Sequence, residues 1–107
     1  MTEQELLALY EQRDERAILE TEAEYSRYLA KVASSVLSSQ EDVEECLNDT
    51  WLRAWNSIPP EKPQYFRAYL SRIVKNLALS LFRKQHAEKR CNETFQLALD
   101  ELDEDIL

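Results

Sequence analysis

Glycine is absent from all 107 residues, and proline occurs only 3 times, at positions 59, 60 and 63. No other feature constrains the fold as much. Tight β-hairpins depend on positions with positive φ, which glycine fills at no steric cost. A chain without it favours long helices over hairpins. Its length suits one domain with one modest core.

Apolar spacing supports the same reading. Residues 3–12 carry Leu6, Leu7 and Tyr10 and read as a short helix, with Asp14 placed to cap the next one. From Glu15 to Leu37, Ile18, Tyr25, Leu29, Val32 and Val36 keep a helical stripe. Ser38-Ser39-Gln40 breaks it, and Ser38 with Glu41 or Ser39 with Asp42 resembles a capping box. A third helix runs through Val43, Leu47, Trp51, Ala54, Trp55 and Ile58, to be stopped by Pro59-Pro60. Pro63 suits the first turn of a fourth helix running to about Lys89, with Phe66, Leu70, Ile73, Leu77 and Leu81 as its buried stripe. The expected fold is all-α: a compact bundle of about four helices with no sheet. Its expected core contains Ile18, Tyr25, Leu29, Val32, Leu47, Trp51, Leu70, Ile73 and Leu77.

The fourth helix has a second stripe of Tyr69, Arg72, Asn76 and Arg83. An aromatic ring, an amide and guanidinium groups can stack on a base, read a base edge and hold phosphates. The same stripe could equally be the solvated side of an amphipathic helix, because periodicity shows a helix and not its partner. On the third helix Asp42, Glu45 and Asp49 lie together at spacings of three and four. A carboxylate metal site, a solvated face and a docking surface for a basic partner all fit that pattern. Apolar Leu52 and cationic Arg53 beside Asp49 favour docking.

The net charge of −8 argues against nucleic acid if taken whole, but its distribution does not. Residues 1–49 hold 4 basic and 13 acidic groups, residues 50–90 hold 9 and 2, and residues 91–107 hold none and 6. A basic block of net +7 therefore sits between acidic blocks of −9 and −6. Local field steers a polyanion more than total charge does.

Several classes are set aside. No apolar run approaches the roughly 20 residues of a membrane span. The acidic N-terminus lacks the pattern of a signal peptide, which places the chain in the cytoplasm. Cys46 and Cys91 make neither a disulfide framework nor a zinc site; Cys46 reads as a small core residue. His86 stands alone, no glycine-rich phosphate loop exists and no serine has an evident base, so no catalysis, cofactor or metal is expected.

The run DVEECLNDTWLRAWNSIPP, followed by FRAYLSRIVKNLALSLFRK and KR, resembles region two of RNA polymerase sigma factors, most of all the compact extracytoplasmic-function (ECF) group. The likeness is dense over residues 42–90; residues 3–40 match only as helix pattern. It implies that the third helix docks on the clamp helices of the largest polymerase subunit. Asp49, Thr50, Leu52, Arg53 and Trp55 fall on the docking motif, and Asp42, Glu45, Asp49, Leu52 and Arg53 are the docking candidates. It also implies that the loop and helix over 60–84 recognise the −10 promoter element on the non-template strand. Asn76 matches a base-contacting position and Tyr69 replaces an aromatic that is usually Trp. Tyr65, Tyr69, Arg72, Lys75, Asn76 and Arg83 are the DNA-binding candidates. An anti-sigma factor is a further partner the resemblance allows.

Many relatives have Asp where this chain has Ser80. The family's helix-turn-helix domain has no counterpart here. Residues 1–90 are thus expected to be the region-two domain and 91–107 the acidic start of the interdomain linker, in a domain cut from a longer protein or in a naturally short form. The alternative is a helical protein-interaction module, a sigma-like regulator or decoy, that binds no DNA.

Overall fold

The structure, a computed structural model, describes residues 1–86. Four helices follow one another: α1 (Glu3–Glu11), α2 (Arg16–Ser34), α3 (Gln40–Ser57) and α4 (Phe66–Gln85). Helices α2, α3 and α4 pack against one another, and α1 lies along α2. Among the described residues there is no strand, so the all-α bundle expected from the sequence is the observed fold.

Side chains cap the starts of α1 and α3, whereas α2 and α4 begin without a side-chain cap: Asp14, the expected cap of α2, lies one residue before Glu15, which holds that position. Thr2 accepts the Glu5 amide through its hydroxyl. Asp14 Oδ1 accepts the Arg16 amide at 3.0 Å, and the carboxylate also pairs with the Arg16 guanidinium at 2.7 Å. Hydrogen bonds from Arg16 hold the Asp14 pKa below its ordinary value. Of the two serines before α3, Ser39 is the cap, accepting the Asp42 amide at 3.4 Å. Asp42 turns its carboxylate instead to Gln85 of α4, whose Nε2 lies 2.8 Å from Oδ2. At the far end of α4, His86 stacks on Phe82 at 4.1 Å between ring centroids.

The core runs through Leu6 and Tyr10 of α1, Leu29, Val32 and Ala33 of α2, Val43, Cys46, Trp51 and Ala54 of α3, and Phe66, Leu70, Val74, Ala78 and Phe82 of α4. Phe66 is its aromatic hub, edge-on to Tyr10 at 5.7 Å and to Tyr25 at 5.6 Å. Tyr10 also shares a 2.7 Å hydrogen bond with the Thr21 hydroxyl, which in turn donates to Ala17 O. No buried side-chain nitrogen or oxygen among the described residues lacks a partner. Satisfied polar groups of this kind let Tyr and Thr enter a core without the penalty of an unpaired donor.

Several expectations need correction. Ile18, Tyr25, Leu47 and Leu77 are half-buried at the margin of the core, not in it. The inner line of α4 is Leu70, Val74, Ala78 and Phe82, rotated from the expected stripe because α4 is covered by both α2 and α3. Helix α2 stops at Ser34, and residues 35–37 continue as tight turns that still bury Leu37. Pro63 does not open α4: it lies in the loop of residues 58–65, and the helix starts at Phe66 after Tyr65. The expected end near Lys89, Cys91 and the linker of residues 91–107 fall outside the described residues. No described helix is long and apolar enough to cross a membrane.

Candidate nucleic-acid interface

The loop of residues 58–65 links the end of α3 to the start of α4. Its prolines supply no amide donors and restrict their neighbours, so the segment cannot continue either helix. Against the first turns of α4 it forms a surface pocket lined by Pro63, Gln64, Tyr65, Ala68, Tyr69 and Arg72. Tyr65 is 68% exposed, one of the few large apolar side chains left open to solvent among the described residues.

Tyr69 is half-buried and held at both ends of its ring. Its face lies over Phe66 at 6.2 Å and 19°, and its hydroxyl donates to Glu61 Oε2 at 2.6 Å. Burial first, and then the carboxylate of Glu61, push the phenol's pKa up to about 12. Phe66 is itself backed by Tyr10 and Tyr25, so a line of rings runs from the core to the pocket wall.

Arg72 and Asn76 are exposed on α4 beyond Tyr69, and Arg83 is exposed two turns further on. Spacings of three, four and seven keep Tyr69, Arg72, Asn76 and Arg83 on one side of the helix. The structure therefore brings Tyr65, Tyr69 and Arg72 together at one pocket and sets Asn76 one turn along the same side. Lys75 stands apart: it is half-buried and off this line. Chemically the stripe and the loop together offer two rings for stacking, Tyr65 and Tyr69, guanidinium groups for phosphate or base stacking, and an amide that both donates and accepts.

On α3, Glu45, Asp49 and Arg53 are exposed and Leu52 is 57% exposed. Asp49, Leu52, Arg53, Asn56, Ser57 and Leu77 line one groove between α3 and α4. Asp42 is half-buried and bonded to Gln85, so it stands at the edge of this face. Thr50 and Trp55, which also fall on the docking motif, turn into the bundle. The Thr50 hydroxyl donates to Cys46 O at 2.8 Å, and Trp55 packs on Tyr10. Cys46 is buried beneath the acidic face, and burial, with the Asp49 and Glu45 carboxylates, pushes its thiol up to about 11. Among the described residues no three His, Cys, Asp or Glu side chains converge on a position for a cation.

Two residues that sequence reasoning passed over shape the loop. Arg13 donates through Nη1 to Trp55 O at 2.7 Å and Ile58 O at 2.9 Å, and its guanidinium lies 3.8 Å over the Trp55 ring. It thereby caps α3 and fixes the root of the loop. Glu61 donates its amide to Ser57 O at 2.9 Å and receives the Tyr69 hydroxyl. The Arg13 contacts have no local signal, since they join residues more than forty positions apart, and the Glu61–Tyr69 bond follows no helical spacing because it spans the loop. The isolated negative charge of Glu61 between Arg53 and Lys84, in an otherwise basic segment, is the one clue the sequence offers.

A family model described as Sigma-70 region 2 matches residues 23–88. No curated protein and no solved structure matched the chain.

Proposed function

Because the chain belongs to the Sigma-70 region 2 family of RNA polymerase sigma factors, we propose that it is the promoter-recognition domain of an ECF-type factor that docks on the polymerase clamp helices and reads the −10 element as the strands separate. As a sigma-factor region it serves transcription initiation, with core RNA polymerase and promoter DNA as its partners. The observation that carries the finer reading is the aromatic pocket of Tyr65, Tyr69 and Arg72 continuing into Asn76 on one exposed side of α4. A strand whose bases have unstacked can place one in such a pocket while basic groups follow its backbone. The exposed carboxylates of Glu45 and Asp49, beside Leu52 and Arg53, suit a basic partner helix with an apolar seam, because a carboxylate opposite arginine gains charge-assisted hydrogen bonds. The setting for this work is the cytoplasm.

The test uses the chain with core polymerase on promoter variants. Asn76→Ala is expected to lower discrimination at one base by ~1–3 kcal/mol while the salt dependence stays nearly unchanged. Arg72→Ala is expected to weaken binding to all sequences and flatten the salt dependence. An Asn76→Ala variant that lowers the melting temperature and leaves base preference untouched would mean that Asn76 serves the bundle, not the promoter.

A further inference from the structure

Glu61 is the only acidic residue among positions 50–86, a segment that carries seven basic side chains. A carboxylate beside a surface that meets a polyanion repels phosphate and lowers affinity. Its contacts at the loop are nonetheless specific. Its amide is tied to the last residue of α3 through Ser57 O, and its carboxylate takes the Tyr69 hydroxyl at 2.6 Å, the short distance of a charge-assisted bond. With Phe66 behind the ring, Tyr69 is fixed at its face and at its tip.

We infer that Glu61 is a positioning residue for nucleobase recognition: by accepting the Tyr69 hydroxyl it holds the Tyr69 ring as a fixed wall of the pocket that Pro63, Tyr65, Ala68 and Arg72 complete. The inference rests on the reading of α4 as the surface that meets single-stranded DNA. A ring already held in place loses no rotamer freedom when a base stacks on it, and it presents one plane to the incoming base. The loop and α4 are coupled through the same bond, so the two sides of the pocket keep their spacing. The charge of Glu61 therefore trades some attraction for the backbone against selectivity for the base.

The experiment measures fluorescence anisotropy of the full 107-residue chain in complex with core polymerase. The probes are labelled single-stranded oligonucleotides carrying each base, or an abasic site, at each position in turn. Tyr69→Phe keeps the ring and the Glu61 charge but removes the bond; Glu61→Ala removes bond and charge. Each is expected to reduce the preference at one position by about fivefold, with the double variant no worse than either alone. Glu61→Gln retains an acceptor for the hydroxyl and is expected to keep the preference within about twofold while binding all probes more tightly. Preference preserved in Tyr69→Phe, or uniformly tighter binding with preference intact in Glu61→Ala, would overturn the inference. Arg72→Ala separates the two levels: if it weakens no probe, the nucleic-acid reading fails, and if it weakens all of them while the Tyr69 and Glu61 variants keep their preference, only the positioning role fails.

Discussion

Arg13 adopts φ 55°, a left-handed backbone that a side chain with a Cβ enters at a cost. In a chain without glycine the turn between α1 and α2 has to be made by another residue, and here that residue returns the cost through its guanidinium, which caps two carbonyls at the end of α3. Arg13→Ala is expected to lower stability by ~1–3 kcal/mol, since it abandons two charged hydrogen bonds and keeps the strain. Arg13→Gly loses the same bonds but relaxes the backbone, so it should be milder by ~1 kcal/mol. Equal loss in both variants, measured by urea denaturation, would show that the turn stores no strain. Tyr69 supplies the second prediction at this scale. Its folded pKa of about 12 lies above the ordinary phenol value, so on alkalisation the unfolded chain releases its proton first. The folded state then binds more protons, and stability falls as pH rises. That contribution is whole below about pH 10 and is lost between pH 10 and about 12. Tyr10, whose pKa burial also raises, acts in the same direction. The melting temperature of Tyr69→Phe should decline less steeply over that window than that of the parent; parallel declines would contradict the assignment.

At the scale of elements, the sequence was readable wherever large apolar side chains mark the buried line. The three-and-four spacing announced α1, α3 and the line from Leu29 to Val32, and the Ser38-Ser39 pair announced the start of α3 without saying which serine caps it. It was less readable for α4, because small residues such as Ala78 and Ser71 count as core there although their composition does not say so. Pro63 misled for a related reason: proline fits a first helical turn or a loop equally, and the choice depends on where Phe66 anchors in the core. The stripe of Tyr69, Arg72 and Asn76 could be read from spacing, whereas the Glu61 bond and the Arg13 cap joined residues with no periodic relation. These placements give α4 a graded test. Leu70 is fully buried in the central cluster, while Ile73 is buried at 8% exposure outside it. Leu70→Ala is expected to cost ~3–5 kcal/mol and Ile73→Ala to cost nearer ~2 kcal/mol, because a site at the margin can collapse around the gap. The reverse order in chemical denaturation would show that the core centre has been misplaced.

For the whole molecule, the uneven charge becomes a division of surfaces. Residues 1–49 carry the acidic excess, and the exposed part of that excess on α3 includes Glu45 and Asp49. On α4, Leu77 lines the groove with Asp49, Leu52 and Arg53, whereas Tyr69 and Arg72 line the separate pocket with the loop. One helix thus contributes to two surfaces without a residue in common. Groups that share no partner respond to substitution almost independently. Asp49→Arg is expected to abolish capture of a clamp-helix fragment by placing like charges together, while helical content stays unchanged because Asp49 is exposed. It should leave binding of single-stranded DNA by the chain alone intact, or strengthen it slightly at low salt by adding positive charge. Arg72→Ala should do the opposite, weakening DNA and sparing the clamp fragment. In the double variant both losses should add to within ~0.5 kcal/mol. A clamp fragment still captured by Asp49→Arg would remove α3 as the docking surface. A large departure from additivity would mean that the bundle transmits one face's state to the other, and that the two surfaces work as a single unit.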